Sequence, residues 1–321
     1  MKSSIFHLSK LLTVIIFMMF FYPVWAADTC KFSAQQVNLG SKSSYNIATT
    51  AASSSGAAGM SCSGLSISIL GSNDINAKLS STTNNLKLVN SLGDSIPYTL
   101  YADQAYSKPF LIGTNFSYKS SSLLNIVLGS QGITIPIYVK TANNINVSAG
   151  TYTDTANFIW NYDICGGLGI GGLICTDSWT STNDSKKSSV AITLEVTKDC
   201  LIGNTPDVDF GAQSFVGQFN TKENTITLSC TAQEGYVTYF SDGAYSANGW
   251  RRMKNSTSNN YLEYNIYLYN NDTVVWNSAN PQAGVGTGTN QDIKYKVKIN
   301  NQQAEQPAGV YTDNMVFTVF Y

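Results

Sequence analysis

The sequence predicts an all-β protein of two antiparallel sandwiches, the second lacking its final strand. Three observations carry this. Short runs rich in Thr, Val, Ile and Tyr alternate with clusters of Asn, Ser and Gly, and helical periodicity is missing after the first 26 residues. The stretch 149–162, A-G-T-Y-T-D-T-A-N-F-I-W-N-Y, returns 159 residues later at 308–321 as A-G-V-Y-T-D-N-M-V-F-T-V-F-Y. The first copy runs on for 37 residues, 163–199, before the next landmark, whereas the sequence stops with the second.

Lys2 and Lys10 flank an apolar segment, Leu11 to Phe21, and Val24-Trp25-Ala26 ends in the small residue a signal peptidase needs, so residues 1–26 read as a secretory signal. The segment is short for a membrane-spanning helix. His7, the only histidine, leaves with it. The remaining chain has no imidazole for a Ser-His-Asp or Cys-His centre or for a transition metal. Charged residues are 12% of the chain, and no acidic pair stands out; Asp154 and Asp313 read as turn or strand-start hydrogen-bonding residues. No enzyme, cofactor or metal site is expected. Losing Lys2 and Lys10 turns 19 basic residues into 17 against 20 acidic, a net charge of about −3, so nucleic acid is not an expected partner.

Roughly 295 residues then remain, enough for two domains of ordinary size. Cys30 and Cys62 are 32 apart and Cys200 and Cys230 are 30 apart, each pair opening one repeat. The parallel predicts one disulfide in each, Cys30–Cys62 and Cys200–Cys230, formed in an oxidising compartment, and leaves Cys165 and Cys175 to each other. The repeats stay in step from there. V-N-L-G at 37–40 answers V-D-F-G at 208–211, I-P-Y-T-L-Y at 96–101 answers L-E-Y-N-I-Y at 262–267, and strands at 133–140 and 292–299 precede the two A-G-x-Y-T-D stretches. Within those stretches Tyr152, Ala156, Phe158, Trp160 and Tyr162, or Tyr311, Met315, Phe317, Val319 and Tyr321, fall on one strand face. The domains are expected at 27–199 and 200–321.

The second half, with Cys200, V-D-F-G, T-I-T-L-S-C, R-R-M at 251–253, Y-N-I-Y-L-Y and the A-G-V-Y-T-D strand, resembles a spore coat protein U domain over about 122 residues. The first half matches more loosely, with Leu86-Lys87-Leu88 in place of R-R-M. That family includes subunits of the archaic, Csu-type chaperone–usher pili of Gram-negative bacteria, and two such domains in one secreted chain are similar to a pilus tip adhesin. The resemblance implies immunoglobulin-like sandwiches that lack a last strand, which a neighbouring subunit donates. It also implies a periplasmic chaperone, an outer-membrane usher, the next pilus subunit and an abiotic or host surface as partners. The location implied is the pilus tip, reached through the periplasm, and the role implied is attachment in biofilm formation.

Cys30 follows the signal too closely to leave room for a donor extension, so the chain is expected to accept a strand and give none. In the first domain Val190, Ile192, Leu194 and Val196 alternate with polar residues and are expected to complete that sandwich from within. In the second, Tyr311, Met315, Phe317, Val319 and Tyr321 are expected to edge an open groove.

Between the two long strands of the first domain, Cys165 and Cys175 enclose G-G-L-G-I-G-G-L-I, which places Leu168, Ile170, Leu173 and Ile174 on a hairpin tip without charge. The insertion at 102–131, with Tyr106, Phe110, Leu111, Ile112 and Phe116, is expected at the same pole. Such residues would bind a surface by desolvation, at ~25 cal/mol per Å² buried. The small-residue run 48–60 reads as a surface linker. The alternative function is a secreted carbohydrate-binding sandwich, motivated by Trp160, Trp179, Trp250 and Trp276, although aromatic residues in β proteins are more often core.

Overall fold

The computed structural model describes residues 30–62, 74–119, 121, 123, 128–129, 132–143, 145–168 and 175–321. The expected signal segment, residues 170, 173 and 174, and the Cys165–Cys175 pairing lie outside the described residues, as does the side chain of Leu168. Strands dominate. In the first half they are β1 (Cys30–Phe32), β2 (Ala34–Ser43), β3 (Ser53–Cys62), β4 (Asp74–Thr82), β5 (Lys87–Val89) and β6 (Ser95–Tyr101). There follow β7 (Asn115–Ser117), β8 (Leu128–Gly129), β9 (Gly132–Thr141), β10 (Gly150–Leu168) and β11 (Cys175–Thr197). The second half holds β12 (Cys200–Asn204), β13 (Lys222–Cys230), β14 (Gly235–Phe240), β15 (Arg251–Asn255) and β16 (Tyr261–Leu268). It closes with β17 (Asn271–Val275), β18 (Gln282–Val285), β19 (Gln291–Ile299), β20 (Tyr311–Thr312) and β21 (Phe317–Phe320). Among the described residues no helix is long and apolar enough to cross a membrane.

The strands form two sandwich-like bodies. The first sheet system runs β1-β3-β9-β6-β5-β10-β11-β2, with β4 and β7 branching from β10; the second runs β12-β13-β19-β16-β15-β20, faced by β18-β14-β21. Period-two alternation explains the cores: every second residue is buried over 135–141 of β9, 152–164 of β10, 188–196 of β11, 262–266 of β16 and 293–299 of β19, and two clusters of buried residues result, one per repeat. Disulfides Cys30–Cys62 and Cys200–Cys230 tie the opening strand of each repeat to its neighbour.

The A-G-x-Y-T-D motif does the same two things in both repeats. Its tyrosine hydroxyl donates to the carbonyl four residues upstream, Tyr152 to Ser148 at 2.8 Å and Tyr311 to Pro307 at 2.7 Å. This tyrosine corner fixes how the chain enters the strand. Its aspartate, on the inward face among apolar neighbours, accepts from a tyrosine across the sheet: Tyr98 Oη to Asp154 Oδ2 at 2.9 Å, and Tyr264 Oη to Asp313 Oδ2 at 2.8 Å. The other carboxylate oxygen accepts backbone N–H groups, of Asn84 and Thr155 in one case and of Ala244 and Asn314 in the other. Turn hydrogen bonding, expected for both aspartates, is therefore half of their role.

These phenols resist ionisation. Burial first, and the adjacent carboxylate second, hold Tyr98 and Tyr264 well above the usual value of 10; burial does the same to Tyr118 and pushes Tyr295 up to about 12. In the unfolded chain all four ionise near 10. Above that pH the unfolded state binds fewer protons than the folded one, so stability present in full below pH 10 falls as pH rises, by up to ~1.4 kcal/mol per pH unit for each phenol. Urea midpoints at pH 8, 10 and 11 are expected to show this decline, and Tyr98→Phe to remove one increment of it. A midpoint that stays constant to pH 11 would contradict the assignment.

One stretch departs from its sequence reading. Residues 48–60 are no linker: Ser44–Thr49 is a short helix, α1, and β3 is a core strand with Ala58 and Met60 buried. Gly56 and Gly59 allow this, since a Cβ at Gly56 would lie 2.8 Å from Val37 and one at Gly59 2.6 Å from the Ser188 side chain. Small residues here mean close strand approach.

Only Lys198 and Asp199 separate β11 from β12. Thr231, buried beside the second disulfide, fastens this joint: its hydroxyl accepts from Asp199 N at 2.8 Å, and its Oγ1 lies 2.6 Å from the Ser44 hydroxyl at the start of α1. Asn146 Nδ2 adds a bond to Thr287 O at 2.8 Å, and Gly288 packs directly on the Asn146 amide.

Candidate functional site

The first sandwich shows what a filled site looks like. β10 and β11 pair antiparallel from Gly150↔Val196 to Leu168↔Cys175, with irregularities after Trp160 and Cys165. On its other side β11 pairs parallel with β2, from Ser189↔Ala34 to Thr197↔Ser43. Val190, Ile192, Leu194 and Val196 point between the sheets and are at most 1% exposed. Both backbone edges of the strand are thus satisfied, and one face is sealed in the core.

The second sandwich has the same two walls with a groove between them. The counterpart of β2 is the V-D-F-G stretch; the counterpart of β10 is broken into β20 and β21. Among the described residues no strand lies between them, and a cavity of about 650 Å³ opens there, walled by Val208 and Phe210 on one side and Tyr311, Met315 and Phe317 on the other. Ile226, Tyr264, Ile266 and Tyr295 form its floor. Position by position the exposure differs. Val37 and Leu39 are buried where Val208 and Phe210 are half-buried, and Tyr152, Ala156, Phe158 and Trp160 are buried where Tyr311, Met315, Phe317 and Val319 are half-buried. Tyr162 is 3% exposed and Tyr321 47%. Val310, Val316 and Phe320 extend the apolar rim into solvent. An apolar groove with unpaired strand backbone beside it is what strand addition requires and what aggregation exploits.

Beneath the groove lies a cation. Arg251, 1% exposed, stands on β15 opposite Tyr264. It donates from Nε to Ser241 O at 2.8 Å and from Nη2 to Trp276 O at 2.9 Å and Phe240 O at 3.2 Å. Burial lowers its pKa, but a guanidinium stays charged and needs these carbonyls. In the first sandwich the matching position, one residue before β5, is taken by Leu86, given the pairing of Leu88 with Ile96 and of Met253 with Leu262. R-R-M served the sequence reading only as a landmark; the clue to its first arginine was alternation with Met253 on an inward face.

A family model for the spore coat protein U domain matches the chain twice, over residues 19–158 and 186–318. The chain belongs to the spore coat protein U domain family. A chain in the crystal structure of the CsuC–CsuE chaperone–tip adhesion subunit pre-assembly complex, from the archaic chaperone–usher Csu pili of Acinetobacter baumannii, has a similar fold. The TM-score is 0.58 at 20% identity over 91% of this chain and all of that one. The CupB6 tip adhesin of Pseudomonas aeruginosa (TM-score 0.34, 12% identity, 91% and 94% covered) is more distant. So is CfaE, the adhesive subunit of CFA/I fimbria of enterotoxigenic Escherichia coli (0.31, 9%, 89% and 98%). No curated protein sequence matches the chain.

The other candidate residues of this spore coat protein U family member divide by burial. Leu111 and Ile112 are 61% and 40% exposed. Phe110 is not a surface residue: 1% exposed, its ring centroid lies 5.0 Å from that of Phe116 and 5.3 Å from that of Phe158, because its N–H pairs back to Leu100 O and turns the ring inward. Phe116 is half-buried on the same cluster, and Tyr106 is half-buried edge-on against Tyr101 and Tyr138. Pairing of β7 with β4 puts Phe116 opposite Ala77, which faces Trp160 of β10. Trp160 and Trp276 are fully buried and offer no face to a sugar. Trp250 is half-buried, and the Trp179 side chain lies outside the described residues.

Proposed function

We propose that this protein is the tip subunit of a chaperone–usher pilus. The second sandwich accepts a strand, from a periplasmic chaperone first and from the next pilus subunit after passage through the outer-membrane usher. The first sandwich, completed by its own β11, faces outward and attaches the cell to a surface in biofilm formation. Its role is binding and assembly, not catalysis. Attachment runs through apolar residues at the pole away from the junction, including exposed Leu111 and Ile112 and the hairpin tip at Leu168, Ile170, Leu173 and Ile174.

The observation that carries this is the groove between Val208 and Met315, where the homologous walls of the first sandwich hold β11. Likeness of fold to a chain of the CsuC–CsuE chaperone–tip adhesion subunit pre-assembly complex supports the assignment. Appending an alternating apolar strand after Tyr321 through a flexible linker tests it. Burying four aliphatic side chains at ~1.5–3 kcal/mol each, less the cost of ordering the strand, is expected to raise the melting temperature of the second domain by about 10 °C or more and to suppress aggregation. An untailed chain that is already monomeric and equally stable would refute the proposal.

A further inference from the structure

The two repeats can be superposed through their tyrosine corners and Tyr–Asp pairs, so the residues that face an occupant can be compared one by one. Along β10 the facing partners on β11 are Leu194 for Tyr152, Ile192 for Asp154, Val190 for Ala156 and Ser188 for Phe158. The corresponding wall of the second groove presents Tyr311, Asp313, Met315 and Phe317. Two of the four positions are alike: a tyrosine corner, and an aspartate already satisfied by a tyrosine hydroxyl. The other two are not.

Ser188 is the one buried hydroxyl on the inward face of β11 between Ser188 and Val196, and it is held by two partners. Trp160 Nε1 donates to it at 2.8 Å, and it donates to Ala58 O at 2.6 Å. The carbonyl is free because β3 breaks its register with β9 between Ala57 and Ser61. The second sandwich lacks both partners. Val319 stands where Trp160 does, and β13 pairs with β19 without a break from Lys222 to Leu228. A hydroxyl carried into that place, above Phe317 and beside Phe240, would be buried without a donor from the wall. At the next position Ala156 leaves room for Val190, whereas Met315 brings a long side chain into the same space.

We infer that the strand which fills the second groove differs from β11 at two positions, being apolar opposite Phe317 and smaller than valine opposite Met315. The inference rests on the reading that the groove accepts a strand, and it names the chemistry of that strand. It also gives the chain a means of discrimination: the β11 of a second copy, presented to this groove, brings a serine and a valine where neither fits. Selection works through groups left unpaired or crowded in the wrong complex.

The test uses the full secreted chain with one of two tails joined after Tyr321 by the same flexible linker. One tail copies residues 186–197; the other carries Ser188→Leu and Val190→Ala within that copy. The changed tail is expected to raise the second-domain melting temperature by at least about 5 °C more than the plain copy, and tails with one change each to contribute separately. The same two substitutions in β11 itself are expected to lower the melting temperature of the first domain, since Trp160 and Ala58 O lose their partner. If the plain copy stabilises as well as the changed tail or better, the inference is overturned and the strand-accepting reading stands. If neither tail moves the transition, both fall.

Discussion

Ile192→Ala is expected to destabilise the first sandwich by about 2–5 kcal/mol, whereas Val208→Ala in the second is expected to cost less than about 1 kcal/mol until its groove is occupied. The difference follows from packing. Ile192 has no solvent exposure and is paired through its strand on both sides, so truncation leaves a cavity that the neighbouring β10 and β2 cannot close. Val208 is half-buried on the wall of an open cavity, and removing its methyl groups enlarges a space that already exists. With a strand tail appended, Val208→Ala should cost as much as an ordinary core valine. Two-transition denaturant melts of each variant, with and without the tail, measure this. Equal costs for Val208→Ala in both forms would mean that the tail does not seat in the groove.

Arg251→Leu is expected to cost at least about 3 kcal/mol in the second domain, although leucine occupies the matching place in the first. Replacing a buried charge by an apolar residue can be neutral when the partner goes too. Here Asp242, 4.0 Å away, is exposed to water, but the carbonyls of Ser241, Phe240 and Trp276 stay behind. Each buried acceptor left without a donor costs ~1–3 kcal/mol. Two of these carbonyls lie at the end of β14 and the third just after β17, so the guanidinium also ties the two facing sheets together. Arg252→Leu is the control. Its guanidinium lies 4.5 Å from the Tyr261 ring at the surface, and its loss should cost less than about 1 kcal/mol. A melting curve for Arg251→Leu that overlays the Arg252→Leu curve would remove the buried arginine from this account.

What was legible in the sequence was periodic or repeated. Alternation at 190–196 marks a strand with one apolar face, and a repeat that carries its cysteines along predicts Cys30–Cys62 and Cys200–Cys230 without geometry. What was hidden depends on which distant groups meet. Phe110 looks like a loop aromatic until its backbone pairs with Leu100, and β3 looks like a linker because Ala, Ser and Gly carry no hydrophobic period. Asp154 and Tyr98 are 56 residues apart, and nothing local to either announces the bond. Arg251 was legible only as part of the R-R-M landmark: an arginine is nearly always at the surface, and only its carbonyl cage, assembled from the end of β14 and the residue after β17, accounts for its burial.

The joint of Lys198 and Asp199, fastened by Thr231 to Ser44, has a mechanical consequence. It leaves no slack for the second sandwich to swing before tension reaches the first, and the strand that receives the tension is β11, entered at its carboxyl end. A pull between the far pole of the first sandwich and the second sandwich therefore acts along the axis of β11. Its ladders with β10 and β2 are loaded in shear, all rungs together, where a pull across the strand would unzip them one at a time.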